Sequence, residues 1–205
     1  QGWAVIENDV EHPAYTTIAA NSLRFSPDSQ RFVYAALTHG QWSVILDGKA
    51  QQPFNKIATR TLAFSPNSQK LVYIGYSAGT AHVVLDGDVV GGYDYADQLT
   101  FSPDSEHLVW LASDGEQYFL VADGMSSHET FDEPLAGARI HFANNLSCHT
   151  VARRPGPSFV RIALKLSVPE KKPAPQKDDT YDPDTTPVPN EPAGTESPFV
   201  EVPTE

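Results

Sequence analysis

The stretch Leu23-Arg-Phe-Ser-Pro-Asp-Ser-Gln-Arg-Phe-Val-Tyr34 decides the fold, because the chain writes it three times. It returns as Leu62-Ala-Phe-Ser-Pro-Asn-Ser-Gln-Lys-Leu-Val-Tyr73 and as Leu99-Thr-Phe-Ser-Pro-Asp-Ser-Glu-His-Leu-Val-Trp110. Phe25 and Phe64 are 39 residues apart, Phe64 and Phe101 37. A worn fourth copy, Ile140-His-Phe142, follows 41 residues later and has lost the Pro. Fourteen residues beyond Tyr34, Tyr73 and Trp110 stands the Gly of an Asp-Gly pair: Asp47-Gly48, Asp86-Gly87 and Asp123-Gly124. An apolar run precedes each pair. An aromatic with a polar neighbour follows it: Phe54-Asn55, Tyr93-Asp94 and Phe131-Asp132.

Each unit therefore reads as four short strands. The first ends at Phe-Ser-Pro, where Pro presets the φ of a type I turn and a short polar side chain sits beside it. The second is the Phe/Leu-Val-Tyr/Trp segment. The third precedes Asp-Gly, a pair that adopts the positive φ values of a tight hairpin. The fourth carries the aromatic–polar pair. Strands recurring between turn signals at a period near 40 residues predict an all-β fold, a β-propeller of about four to five blades. No stretch keeps a 3.6-residue apolar period, so almost no helix is expected.

The Phe-Ser-Pro-Asp-Ser motif, the apolar–aromatic strand after it and the later Asp-Gly resemble the WD40-like repeats of TolB-type bacterial propellers, over residues 3 to about 166. The resemblance implies a propeller and, more weakly, a bacterial envelope protein. It does not imply one activity, because propellers host many. Ser stands where that family usually has Gly at the turn, in all three good copies.

Ring closure is open at this level. Trp3-Ala-Val-Ile6 aligns with Trp42-Ser-Val-Ile45, and Phe159-Val-Arg-Ile162 with Tyr118-Phe-Leu-Val121, so the repeat both begins and ends on a third strand. A compact ring would have residues 3–20 complete the blade begun at Ile140. The alternative is an incomplete ring, an arc of about five partial blades with edges near residues 3–8 and 159–166. The compact ring is the favoured expectation.

Composition narrows the function classes. The formal net charge is −12, and residues 167–205 hold 3 Lys/Arg against 9 Asp/Glu. An acidic chain is a poor ligand for phosphate backbones, which argues against nucleic acid, and for anionic lipid. Cys148 is the only cysteine, so an internal disulfide and a four-thiolate zinc site are excluded. No apolar run approaches the roughly 18 residues of a membrane span. The chain starts at Gln1 without Met, from which removal of an upstream export signal, or trimming, is expected.

No catalytic, metal or cofactor site is expected. Gly75-Tyr-Ser-Ala-Gly79 has the spacing of a nucleophile elbow, but that motif needs a helix after the Ser, and Ala81–Leu85 reads as a strand. His141, Cys148 and His149 do not match a metal-site spacing, and alternation along a strand points Cys148 and His149 to opposite faces. The repeated Asp residues read as turn formers. Arg153, Arg154, Arg161, Lys165, Lys171 and Lys172 form a basic stretch broken by one acid, Glu170.

From Ser167 the composition changes: nine of 39 residues are Pro, and only Tyr181 and Phe199 are aromatic. Such a segment buries too little apolar surface to fold alone. The expected function is a non-enzymatic protein-binding scaffold or accessory subunit of a larger, periplasmic assembly. Its acidic Pro-rich tail, 167–205, would lie along a partner, with Arg153, Arg154, Arg161, Tyr181 and Phe199 as partner-binding residues. Other protein subunits are the expected partners, with self-association through strand edges as a further option. The alternatives are a carbohydrate- or ion-binding propeller and, less so, a peptidase-associated one.

Overall fold

The computed structural model describes residues 2–7, 9–154 and 158–167. It is built of short antiparallel sheets stacked in sequence order. An N-terminal hairpin pairs β1 (Ile6–Glu7) with β2 (Val10–Glu11). Blade one holds β3 (Thr17–Ile18), β4 (Arg24–Phe25), β5 (Phe32–Thr38), β6 (Gln41–Leu46) and β7 (Lys49–Phe54). Blade two repeats it as β8 (Lys56–Ile57), β9 (Ala63–Phe64), β10 (Leu71–Ser77), β11 (Thr80–Leu85) and β12 (Asp88–Tyr93). Blade three is β13 (Tyr95–Phe101), β14 (Leu108–Ser113), β15 (Tyr118–Ala122) and β16 (Met125–Phe131). Blade four has β17 (Glu133–Pro134), β18 (His141–Asn144), β19 (Ser147–Arg153) and β20 (Phe159–Lys165).

This is the predicted β-propeller architecture. The innermost strand is split in two in blades one, two and four, and continuous through a bulge in blade three. The repeated Phe residues hold the same register: Phe25 opposite Phe32, Phe64 opposite Leu71, Phe101 opposite Leu108. One 3-10 turn, Thr59–Thr61, is the helical content of the described residues, none of which forms a helix long and apolar enough to cross a membrane. The Asp-Gly turns are type I′, with φ of 49° and 77° at Asp47-Gly48 and matching pairs at Asp86-Gly87 and Asp123-Gly124.

The core lies between blades. Val33, Ala35, Val44 and Phe54 of blade one meet Leu71, Tyr73 and Val84 of blade two. Val72, Ile74 and Val83 meet Leu108, Trp110 and Val121 of blade three. Val109, Leu111 and Phe131 meet Cys148, Ala152 and Ile162 of blade four. Alternate residues of each second and third strand thus serve the two neighbouring joints.

The compact ring is not what forms. Among the described residues, none of 3–18 pairs with blade four. Trp3 bridges Tyr15, while Val5, Tyr15 and Ile18 pack on Phe32, Tyr34, Ala36 and Ile45. Those residues are the blade-one equivalents of Leu71, Tyr73, Gly75 and Val84. The N-terminal segment therefore covers the face a preceding blade would cover. Asp9, at φ 63°, turns the chain back on itself, so Trp3–Ile6 does not act as a third strand. Among the described residues no buried cluster joins blade four to blade one. The result is an arc of four blades rather than the five partial blades of the alternative.

Candidate functional site

The turns that open each blade form a rigid frame. Ser26 Oγ donates to Asp28 Oδ1 at 2.6 Å and accepts from the Arg31 amide at 2.9 Å, and Asp28 Oδ1 accepts from the Gln30 amide. Ser65–Asn67 and Ser102–Asp104 repeat the pattern. The Ser26 hydroxyl, first, and the Gln30 amide hold the Asp28 carboxyl below the usual range, so these acids belong to the turns. The Asp of each Asp-Gly pair accepts from the amide opening the second strand: Phe32, Leu71 and Leu108.

The same turns latch neighbouring blades. The Asp28 amide donates to Ser68 Oγ, and the Asn67 amide to Ser105 Oγ, both at 3.0 Å. Arg31 reaches Gln69 O and stacks over Phe64, and Lys70 Nζ reaches Ser105 O. Here lies the reason for Ser in place of Gly: its hydroxyl receives the adjoining blade's amide, although Ser68 and Ser105 sit at φ 66° and 68°. Among the described residues no blade precedes Phe25 and Ser29, and Phe25 is 63% exposed.

Two surfaces offer binding chemistry. The first is a cleft of about 460 Å³ against the innermost strands of blades two to four, lined by Arg60, Tyr95, Asp97, Gln98 and Arg139 among others. Arg60 pairs with Asp97 at 3.0 Å, and Tyr95 Oη donates to the same carboxylate. Burial, then Asp97, pushes the Tyr95 phenol up to about 12. Arg139 has no ion pair among the described residues. Nothing in the sequence points to this cleft, because Arg60 comes from blade two, Tyr95, Asp97 and Gln98 from blade three and Arg139 from blade four, and only the fold brings them together.

The second is the outward face of blade four. Cys148, Thr150, Ala152 and Ile162 are buried toward blade three, so the alternate residues face away from it. Register places His141, His149 and Ala163 in one row, Val151 and Arg161 in another, and Arg153 with Phe159 in a third. Where the equivalent faces of blades one to three carry Val, Ala, Ile and Leu, this one carries His149, Arg161 and a 62%-exposed Phe159. It is a charged face, unlike the apolar joints between the blades.

The predicted arginines fall unequally on it. Arg153 pairs with Glu133 at 2.7 Å and Arg154, beyond the strand, with Glu129 at 3.6 Å. Both pairs are exposed and bind weakly. Arg161 has no ion pair among the described residues. Tyr181 and Phe199, with Lys171 and Lys172, lie outside the described residues. Sequence reading weighed His141 and His149 only as metal ligands and not as part of this face, where their rings meet edge-on at 5.5 Å. Burial, then Arg161 and His141, hold His149 below the usual histidine value.

Ser77 closes β10 and pairs with Thr80 across an Ala78-Gly79 turn, and the residues after it are strand, so it is not on a nucleophile elbow. Cys148 faces blade three while His149 faces outward, which separates the thiol from the imidazoles. Among the described residues no group of three or more His, Cys, Asp or Glu is placed to hold a metal ion.

No family model and no curated protein matches the chain. Solved structures do. TolB from Acinetobacter baumannii is 12% identical, over 80% of this chain and 46% of that one, with a TM-score of 0.43. The β-propeller domain of the Trilobed protease from Pyrococcus furiosus is 11% identical, over 76% and 55%, at 0.48. The Dos1 propeller is 13% identical, over 80% and 48%, at 0.43. The chain spans about half the length of these propellers, and the likeness is one of fold.

Proposed function

We propose that this chain is a non-enzymatic protein-binding scaffold, an accessory subunit of a larger assembly in the bacterial envelope, with its C-terminal segment lying along a partner. The observation that carries this is the outward face of blade four, where Arg161, without an ion pair among the described residues, and an exposed Phe159 stand on one sheet. A planar guanidinium beside an aromatic ring is the combination that anchors protein interfaces. The envelope location is supported by the resemblance of the repeats to TolB-type propellers. Affinity capture at native abundance tests the reading: a defined partner set is expected, and it should be lost with Arg161→Glu and kept with Lys49→Glu on blade one. Turnover by the purified chain, abolished by Ser77→Ala, would overturn it.

The cleft at Arg60, Tyr95 and Arg139 favours a second reading, a module that binds a small anionic or hydroxylated ligand. Two guanidinium groups and a phenol suit carboxylates or sugar hydroxyls. Calorimetry with acidic monosaccharides separates the two: binding lost with Arg139→Ala, with partner capture unchanged, would favour the ligand module.

A further inference from the structure

Three positions of the repeat are covered in blades two and three and open in blade one. Leu62 is buried in the joint with blade one and Leu99 packs into the joint with blade two, while Leu23 is 41% exposed. Phe64 and Phe101 pack into the same two joints, while Phe25 is bare. Ser68 and Ser105 are buried, each accepting the preceding blade's amide. Ser29 is exposed, and its hydroxyl meets no donor among the described residues. The N-terminal segment does not supply the cover. Val5, Tyr15 and Ile18 pack on the second and third strands of blade one and leave its opening turn in water.

The two internal joints show what such a turn accepts. At the first, Asp28 gives its amide to Ser68 Oγ. Three residues on, Arg31 lays its guanidinium over Phe64, 5.7 Å from the ring centroid, and donates to Gln69 O at 2.9 Å. At the second, Asn67 gives its amide to Ser105 Oγ, and three residues on Lys70 donates to Ser105 O at 2.8 Å. The covering piece is the same twice: a tight turn that offers an N–H, and a basic side chain three residues later. Blade one repeats the accepting half, with Phe25 for the ring, Ser29 for the hydroxyl and Gln30 at the position of Gln69. A ring face, a hydroxyl oxygen and a carbonyl are all electron-rich, and the chain carries a net charge of −12, so charge selects a cation.

We propose that the opening turn of blade one is a docking surface for an arginine-bearing turn of a partner protein, which lays its guanidinium on the Phe25 ring and gives a backbone N–H to Ser29 Oγ. Arginine suits the surface because one planar guanidinium reaches both a ring and a carbonyl, as Arg31 does at the first joint. A second copy of this chain has no such turn to spare among the described residues. Arg31 and Lys70 are engaged in the internal joints. His107, at their position in blade three, has a side chain only 5% exposed and bound to Asp123. The blade-four turn, Asn144-Asn-Leu-Ser147, has no basic residue. The surface belongs to blade one and shares no residue with the blade-four face behind the scaffold reading, so either can fail alone.

NMR titration of the full chain tests it. The probe is a synthetic peptide with the sequence of residues 26–31, Ser-Pro-Asp-Ser-Gln-Arg, closed into a ring by a cysteine at each end. Saturable shifts of the Phe25 and Ser29 signals are expected. A peptide with Ala in place of the Arg should bind at least about fivefold more weakly. Ser29→Gly, which relieves a positive φ, should weaken binding of the parent peptide about fivefold. Phe25→Leu, which keeps an apolar group over Phe32, should weaken it at least about threefold. Arg161→Glu should leave it unchanged. Absence of binding overturns the proposal, as does an affinity that neither Ser29→Gly nor Phe25→Leu alters. A homodimer of the parent chain that Ser29→Gly takes apart would assign the surface to a second copy and overturn it too.

Discussion

The backbone amide of Asp28 donates to the hydroxyl of Ser68, forty residues along the chain and one blade over, at 3.0 Å. That hydroxyl is held in place by a backbone at φ 66°, a conformation usually left to Gly. The serine accepts local strain in exchange for a bond between blades. Ser29 has nearly the same φ, 60°, and among the described residues no donor reaches its hydroxyl.

The contrast gives a paired prediction. Ser29→Gly relieves the positive φ and loses nothing, so its stability should match the parent within about 0.5 kcal/mol or exceed it. Ser68→Gly relieves the same strain but strands the Asp28 amide, and should be less stable than Ser29→Gly by about 1 kcal/mol. Urea denaturation of both variants checks this, and equal midpoints would show that the latch contributes nothing.

Gly75 is set by a neighbour's ring. A Cβ there would lie 2.5 Å from Phe54, whose side chain fills the joint between blades one and two. Gly75→Ala should cost about 1–3 kcal/mol through overpacking. Combining it with Phe54→Leu, which makes room, should cost less than the two single changes added together, as a double-mutant cycle on thermal unfolding would reveal.

His149 gives a pH dependence of known sign. Its folded pKa lies below the ordinary value of about 6.5, because burial, Arg161 and His141 disfavour the imidazolium. The unfolded chain therefore binds the proton more readily, and stability is lost as pH falls from about 6.5 toward the folded pKa. His149→Gln should flatten the pH 5–7 part of the stability profile. A slope identical to the parent's would mean that other groups carry it.

Burial pushes the Cys148 thiol up to about 11, and only 2% of the residue is exposed. Alkylation at pH 8 should be negligible in the native protein and rapid in urea, with the native rate tracking local opening of blade four. Mass spectrometry of iodoacetamide-treated samples reads both states.

The parts of this fold that could be read from sequence are the local ones. Ser-Pro-Asp-Ser and Asp-Gly fix their own turns through side-chain hydrogen bonds and φ preference, so the blade pattern is visible at Tyr34, Tyr73 and Trp110 without tertiary information. Closure could not be read, because Trp3-Ala-Val-Ile6 and Trp42-Ser-Val-Ile45 look alike, yet the second pairs with β5 while Trp3 bridges Tyr15. The basic stretch of blade four was visible too, but not that Glu133 and Glu129 would occupy Arg153 and Arg154. Those acids precede the arginines by 20 and 25 residues, and only the sheet brings them together.

Residues 3–18 have a consequence for how many molecules end up in one particle. Stripped of Val5, Tyr15 and Ile18, blade one would offer Phe32, Tyr34, Ala36 and Ile45 to solvent, a profile much like the one Leu71, Tyr73 and Val84 present to blade one itself. An apolar surface of that kind, laid bare, favours association between molecules. The short N-terminal hairpin keeps it out of water, and a chain shortened there is expected to elute as larger species in size-exclusion chromatography with light scattering.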